Sequence, residues 1–173
     1  MLMLLDSVKI DVDFNGIVIF SYPDLMNFFA DPVVNGQNVL SDFTQTDLGD
    51  KVVDGGVVLP IINIDDGGYL VRFFEGDPES SVRRRVVFSD SGYVLKIDGD
   101  LYIADAAVFW DWEEYLGWTK VAIPRGYYSV KIEGVQHIGD DGSVGSIGYD
   151  VIVTRVEDLP KRTAQIRQDS RVS

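Results

Sequence analysis

Strict two-residue alternation constrains this chain more than any other feature. In "SVKIDVDF" (7–14), Val8, Ile10, Val12 and Phe14 point one way and Lys9, Asp11 and Asp13 the other. Only an extended strand sorts apolar from charged side chains with that period, and a strand so sorted is buried on one face. Eight further runs have strand character: "GIVIFSY" (16–22), "GVVLPIINI" (56–64), "YLVRFFE" (69–75), "VRRRVVF" (82–88), "YVLKI" (93–97), "LYIAD" (101–105), "YYSVKIEGV" (127–135) and "YDVIVTRV" (149–156).

Between them stand Asp-Gly signals, "IDDGGY", "SDSGY", "IDGDLY" and "GDDGS". Tight hairpin turns need positive φ, which Asp and Gly supply. A calcium loop needs alternating oxygen ligands, a central Gly and a distal Glu; "DDGSVGSIGYD" (140–150) lacks that register, so hairpins are expected there and no metal. An internal echo agrees: "GYLVRFFEG", "GYVLKIDG" and "GYYSVKIEG" repeat Gly-Tyr, an apolar run, a basic residue, an acid and Gly, at irregular spacing.

Helix signals are few: "PDLMNFFA" (23–30), "SDFTQTDL" (41–48) with a Ser cap, and "FWDWEEYL" (109–116), where helical spacing puts Phe109, Trp112 and Leu116 on one face. Many strands without β-α alternation predict a mainly β fold, an antiparallel β-sandwich or open barrel with one to three short helices. One β domain is expected over residues 1–156. The segment 157–173 is polar and locally basic: from Arg155 to Ser173 there are five basic and three acidic residues, +2, leaving −15 on the other 154. By composition it is a mobile tail, or else a segment lying along the acidic body.

Charge narrows the partners. Fifteen Lys and Arg against 28 Asp and Glu give −13. Such a field repels nucleic acid and anionic membranes and attracts basic proteins. Without cysteine there is no disulfide and no thiol chemistry, and a reducing, cytoplasmic compartment is expected. The opening "MLMLLDSVKI" is apolar for only five residues, without a basic n-region; it is expected to lead into the first strand rather than to cross a membrane.

Catalytic patterns are sparse. The single histidine, His137, has no Gly-x-Ser-x-Gly elbow to serve and reads as a turn or surface residue. Zinc would need several His or Cys, and no glycine-rich phosphate loop precedes a helix, so no cofactor is expected. A carboxylate hydrolase is the remaining enzymatic route, with Glu113 and Glu114 beside tryptophan as its candidates, although adjacent residues face apart.

All three tryptophans lie in "FWDWEEYLGWTK" (109–120), interspersed with Asp111, Glu113 and Glu114. Aromatic anchors dominate protein interfaces, and flanking carboxylates speed encounter with basic surfaces. The same residues can equally plug a core. Trp112 is expected to pack inward, with Trp110 or Trp118 partly exposed. The candidate partner-binding set is Trp110, Asp111, Glu113, Glu114 and Trp118, with Asp140 and Asp141 as rim charges. In "RRR" (83–85), Arg84 must point opposite to its neighbours, and pairing with acids on adjacent strands fits better than a nucleic-acid patch in so acidic a body.

"VRRRVVFSDSGYVLKIDGDLYIADA", then "KVAIPRGYYSVKIEGV", and the earlier "DVDFNGIVIFS", resemble in order and outline the small bacterial competence-associated nuclease inhibitors. The likeness spans residues 11–136, with Ile123-Pro124-Arg125-Gly126-Tyr127-Tyr128 its crispest element; the tryptophan insert (109–118) and everything after Val135 depart from it. The resemblance implies an acidic protein that blocks a basic nuclease. The expectation is therefore a bacterial, non-catalytic binding protein, an inhibitor or immunity protein for a basic partner such as a toxin nuclease. A phage or secretion-system structural subunit and a carbohydrate-binding module are the alternatives.

Overall fold

The alternating segment forms β1 (Met3–Val12), with Val8 and Val12 buried and Lys9 and Asp11 exposed. The computed structural model describes residues 3–76 and 83–173. The other strands are β2 (Gly16–Tyr22), β3 (Val58–Ile62), β4 (Gly67–Glu75), β5 (Arg84–Ile97), β6 (Asp100–Asp105), β7 (Thr119–Val121), β8 (Gly126–Ile138) and β9 (Val144–Val156). They make two sheets, β1-β4-β9-β8-β5 and β3-β2-β6-β7, neither closed into a barrel. The expected mainly β sandwich with short helices is what the structure shows. Among the described residues every pairing is antiparallel except β4 with β9, which run parallel from Leu70↔Gly148 to Glu75↔Val153.

Three of the four Asp-Gly signals do not make hairpins. "IDDGGY" joins β3 to β4 and "IDGDLY" joins β5 to β6, each a crossing from one sheet to the other. "SDSGY" lies inside β5, fusing the two expected strands 82–88 and 93–97 into one that shifts register between Ser91 and Tyr93; Gly92 takes φ +98° there. Val82, where the first was expected to begin, lies outside the described residues, as do Met1 and Leu2. Only "GDDGS" closes a hairpin, β8 to β9. Gly67, Gly92 and Gly142 take the positive φ that composition suggested and Gly99 does not, while the pairing of the flanking strands is a long-range matter.

The crossing at Asp98–Gly99 is held by Asp24. Its buried carboxylate accepts the N–H groups of Asp98 (2.8 Å) and Gly99 (3.1 Å), from a 3-10 turn at Asp24–Phe28. Burying a carboxylate is tolerated when its lone pairs are filled in this way.

β2 is buried along its whole length. Its second face is covered by three helices, α1 (Val39–Gln45), α2 (Leu48–Asp54) and α3 (Ala107–Trp110), and by the segment after α3. α1 starts earlier than expected because Asn38, not Ser41, caps it, accepting the Ser41 N–H at 2.9 Å. α2 and the short β7 carry too few periodic residues to stand out in the sequence.

The basic C-terminal segment is docked. Tyr93, Gln136 and Tyr149 donate to the carbonyls of Gln165, Val172 and Ser170, and Ser170 and Val172 are buried. Arg167 forks onto Asp90 (2.6 and 2.9 Å) and lies 4.2 Å over the Phe88 ring, while Arg162 pairs with Asp54 on α2 at 2.7 Å.

The parallel seam sets a test. A Cβ on Gly148 would sit 1.7 Å from the Leu70 carbonyl oxygen, whereas one on Gly145 meets nothing nearer than 3.8 Å. Gly148→Ala should therefore lower the unfolding free energy by at least about 1–3 kcal/mol, the usual cost of overpacking, and Gly145→Ala by no more than about 0.5 kcal/mol, read from urea midpoints.

Candidate functional site

The tryptophan segment divides into an inner and an outer part. Helical structure stops at Trp110, Asp111 is extended, and Tyr115 takes φ +67°, so the expected 109–116 helix does not form. Leu116 accordingly does not share a face with Phe109 and Trp112; it is 63 % exposed. Trp112 does pack inward, 2 % exposed and stacked with Phe109 at 6.4 Å. Its backbone is pinned both ways to the loop before α1: Gly36 N–H donates to the Trp112 carbonyl (2.8 Å), and Trp112 N–H to that of Gln37 (3.1 Å).

Trp118 is half-buried at the centre of a ring of aromatics. Phe20, Tyr22, Trp112, Tyr115 and Tyr102 surround it at centroid distances of 4.9 to 5.4 Å. Aromatic pairs of this kind each add ~0.5–1.5 kcal/mol beyond area burial, so Trp118 serves the packing of the second layer. Its indole N–H is buried without a partner.

Trp110 is the outer member, 54 % exposed and resting on Phe14 at 5.5 Å. Phe14 follows Asp13 at the end of β1, and the Asp13 N–H is tied to Asp105 (2.8 Å), whose other oxygen accepts the Ala107 N–H that opens α3 (3.0 Å). One carboxylate thus fastens the β1–β2 turn to the helix that presents Trp110. Asp13 and Asp111, chain neighbours of the two rings, are exposed, as is Asp11 on the same outward row of β1. Phe14, Asp13 and Asp105 were not singled out in the sequence because Phe14 and Trp110, like Asp13 and Asp105, stand more than ninety residues apart; the alternation that placed Phe14 at the end of a buried row was the available signal.

The remaining candidates fall in different settings. Glu113 is exposed. Glu114 accepts a hydrogen bond from the Tyr22 hydroxyl. Burial pushes the Tyr22 pKa upward, and the Glu114 carboxylate pushes it further, so the phenol stays the donor. Asp140 and Asp141 lie on the turn between β8 and β9, strands three and two places from β1 in the sheet order, where Asp140 pairs with Arg83 (2.6 Å) and Asp141 caps Ser143 (3.0 Å). The structure does not bring them onto the tryptophan segment.

The arginine run behaves as a ladder. Arg84 reaches Glu133 (2.7 Å) and Asp150 (3.2 Å) on the outer face of the larger sheet, where Arg72 also forks onto Asp150 (2.9 and 2.8 Å); Arg85 turns the other way, to Gln136. His137 stands beside this network with Nε2 buried and unpartnered. Among the described residues no cluster of His, Asp and Glu could hold a metal ion, and no helix is long and apolar enough to cross a membrane.

The crisp element 123–128 is structural. The Tyr128 hydroxyl donates to the Pro124 carbonyl (2.6 Å) and accepts from Arg155 (2.9 Å), locking the entry to β8.

No protein-family model and no curated protein matches the chain. Among solved structures it is similar to ComJ of Bacillus subtilis, described as an inhibitor of the DNA-degrading activity of NucA, with TM-score 0.47 and 10 % identity over 90 % of this chain and 99 % of that one. It is also similar to the protein described as crocagin biosynthetic gene J, with TM-score 0.51 and 13 % identity over 91 % of this chain and 99 % of that one. At these identities the likeness is one of fold alone.

The His137 setting predicts a pH effect. Burial first, then Arg72 and Arg84, hold its pKa below the ordinary 6.5, with Asp150 opposing. The native imidazole is therefore neutral where the unfolded one takes a proton. Its contribution to stability is present above about pH 6.5 and is lost as pH falls through the lower native value. Unfolding free energies measured across that range should show the wild type losing stability relative to His137→Gln on acidification.

Proposed function

We propose that this protein is a non-catalytic acidic binding protein that neutralises a basic partner, in the manner of an inhibitor or immunity protein acting on a nuclease in the bacterial cytoplasm. One observation carries the reading: Trp110, the most exposed of the tryptophans, is held on Phe14 between Asp13 and Asp111, in a chain of net charge −13. A nuclease binds phosphate through Lys and Arg, and carboxylates presented on a rigid sheet compete for those cations. The negative field speeds encounter, and the indole supplies the apolar anchor that slows departure. Lack of cysteine suits a reducing compartment. The contact set in this reading is Trp110, Asp111 and Glu113, joined by Asp11, Asp13 and Phe14. Glu114 contributes from its place on Tyr22, and Trp118 supports the surface from beneath. Asp140 and Asp141 add long-range charge. ComJ is an inhibitor by its description, but the likeness is too distant to carry weight here.

The test is inhibition of a panel of basic nucleases, scored by cleavage of a fluorogenic nucleic acid at low and high salt. The wild type should inhibit at least one, with association slowing as salt rises. A triple variant, Trp110→Ala, Asp111→Lys and Glu113→Lys, should bind roughly thirtyfold more weakly or worse, as expected for loss of an aromatic anchor and reversal of its flanking charge. Equal inhibition by both forms, or none by either, would overturn the reading.

A further inference from the structure

The parallel seam between β4 and β9 is closed along only part of its length. Pairing begins at Leu70↔Gly148, yet β4 already starts at Gly67 and β9 at Val144. Among the described residues, Gly67–Tyr69 pair with β1 alone, and Val144, Ser146 and Ile147 with β8 alone. Between the two diverging strands lies a cleft of about 580 Å³, with Gly68 and Leu70 on one side and Val144 to Ile147 on the other. A bulge at Gly145, the residue skipped in the β8–β9 register, bends β9 away from β4 and so opens the gap.

A strand turns its backbone N–H and C=O groups alternately to either side, so those of 144–147 that do not serve β8 border the cleft. Open edges are commonly blunted by proline or charge. The edge strand β3 carries Pro60, and the edge strand β5 carries Arg84 and Arg85. Residues 144–147 carry neither, and Val144 is 47 % exposed. Gly145 has its φ outside the left-handed region, and a Cβ there would meet nothing nearer than 3.8 Å. Contacts within the chain explain Gly148 but not Gly145; a strand glycine in open space suits close approach by another backbone.

Charge selects the occupant. Asp11 lies in the lining, Asp65 and Asp66 lead into Gly67, and Asp140 and Asp141 lead toward Val144; all five are exposed. Among the described lining residues Lys9 is the one cation. Such a setting draws in a basic segment and repels an acidic one.

We propose that this cleft receives an extended, basic segment of the partner protein, which adds to the large sheet along Val144–Ile147. The proposal rests on the reading of the protein as a binder of basic partners and names the mode of capture. Asp11 lines the cleft and also stands on the outward row of β1 that runs toward Asp13 and Phe14, so the cleft adjoins the Trp110 face.

The experiment titrates the full chain with the peptide acetyl-Lys-Thr-Val-Thr-Val-Lys-amide, a copy N-methylated at every Thr and Val, and a copy with Glu in place of Lys. NMR amide shifts and hydrogen exchange are read over residues 67–70 and 144–147. In the free protein the 144–147 amides that point away from β8 should exchange rapidly. The basic peptide should shift and protect them saturably, the methylated copy should do neither, and the acidic copy should bind at least about tenfold more weakly. Gly145→Val puts a branched side chain into the open space; it should weaken the basic peptide about tenfold, the equivalent of one or two lost backbone hydrogen bonds, with the urea midpoint unchanged. No response at 144–147, or an equal one to the methylated copy or in Gly145→Val, would overturn the proposal. So would protection in the free chain that grows with protein concentration, the mark of a second copy in the cleft. Nuclease inhibition separates the two readings. A wild type that inhibits while its cleft ignores the basic peptide sinks this proposal alone; one that inhibits no nuclease sinks the inhibitor reading, whatever the peptide does.

Discussion

Asp150 is wholly buried on the outer face of the larger sheet, and most of the architecture depends on how that charge is satisfied. A carboxylate taken out of water costs several kcal/mol unless it is paired and hydrogen-bonded. Here Arg72 from β4 and Arg84 from β5 both reach it, and Arg84 also holds Glu133 on β8. One negative charge on β9 therefore couples β4, β9, β8 and β5. The preceding residue, Tyr149, faces the opposite side of the same strand and anchors the C-terminal segment through Ser170. The register of β9 thus decides both the outer charge network and the inner docking of the tail, and a shift by one residue would exchange the two faces.

From that frame the second layer follows. β2, at the middle of the smaller sheet, is buried on both sides because the helices and the tryptophan segment cover its outer face. The rings around Trp118 make that cover rigid, and rigidity makes its edge usable. Trp110 is exposed on a platform fixed by Asp105, and Trp112 behind it is pinned by backbone hydrogen bonds to the loop before α1. Preorganised surfaces bind at lower entropic cost than mobile ones, so packing and recognition draw here on the same aromatic residues.

Charge is unevenly used in the molecule. The arginines are largely committed within it: Arg72 and Arg84 to Asp150, Arg162 to Asp54, and Arg167 to Asp90. Much of the carboxylate surplus stays at the surface, including Asp11, Asp13, Asp31, Asp111 and Glu113. A surplus of one sign that is not consumed by folding is available for partners of the other sign.

Local pattern was enough for most of the strands, for the mainly β sandwich and for the inward Trp112, because period-two alternation and aromatic size act over a few residues. Positive φ at Gly67, Gly92 and Gly142 was legible for the same reason. Sheet assignment was not: "SDSGY" reads as a turn, yet β5 runs through it because β8 pairs with it on both sides of the bulge. Nor could local pattern show the parallel seam at Gly148, the reach of Asp105 to the β1–β2 turn, or the Glu114 carboxylate on the Tyr22 hydroxyl. Each joins residues about eighty or more apart, and such proximity exists only once the chain has closed its sheets.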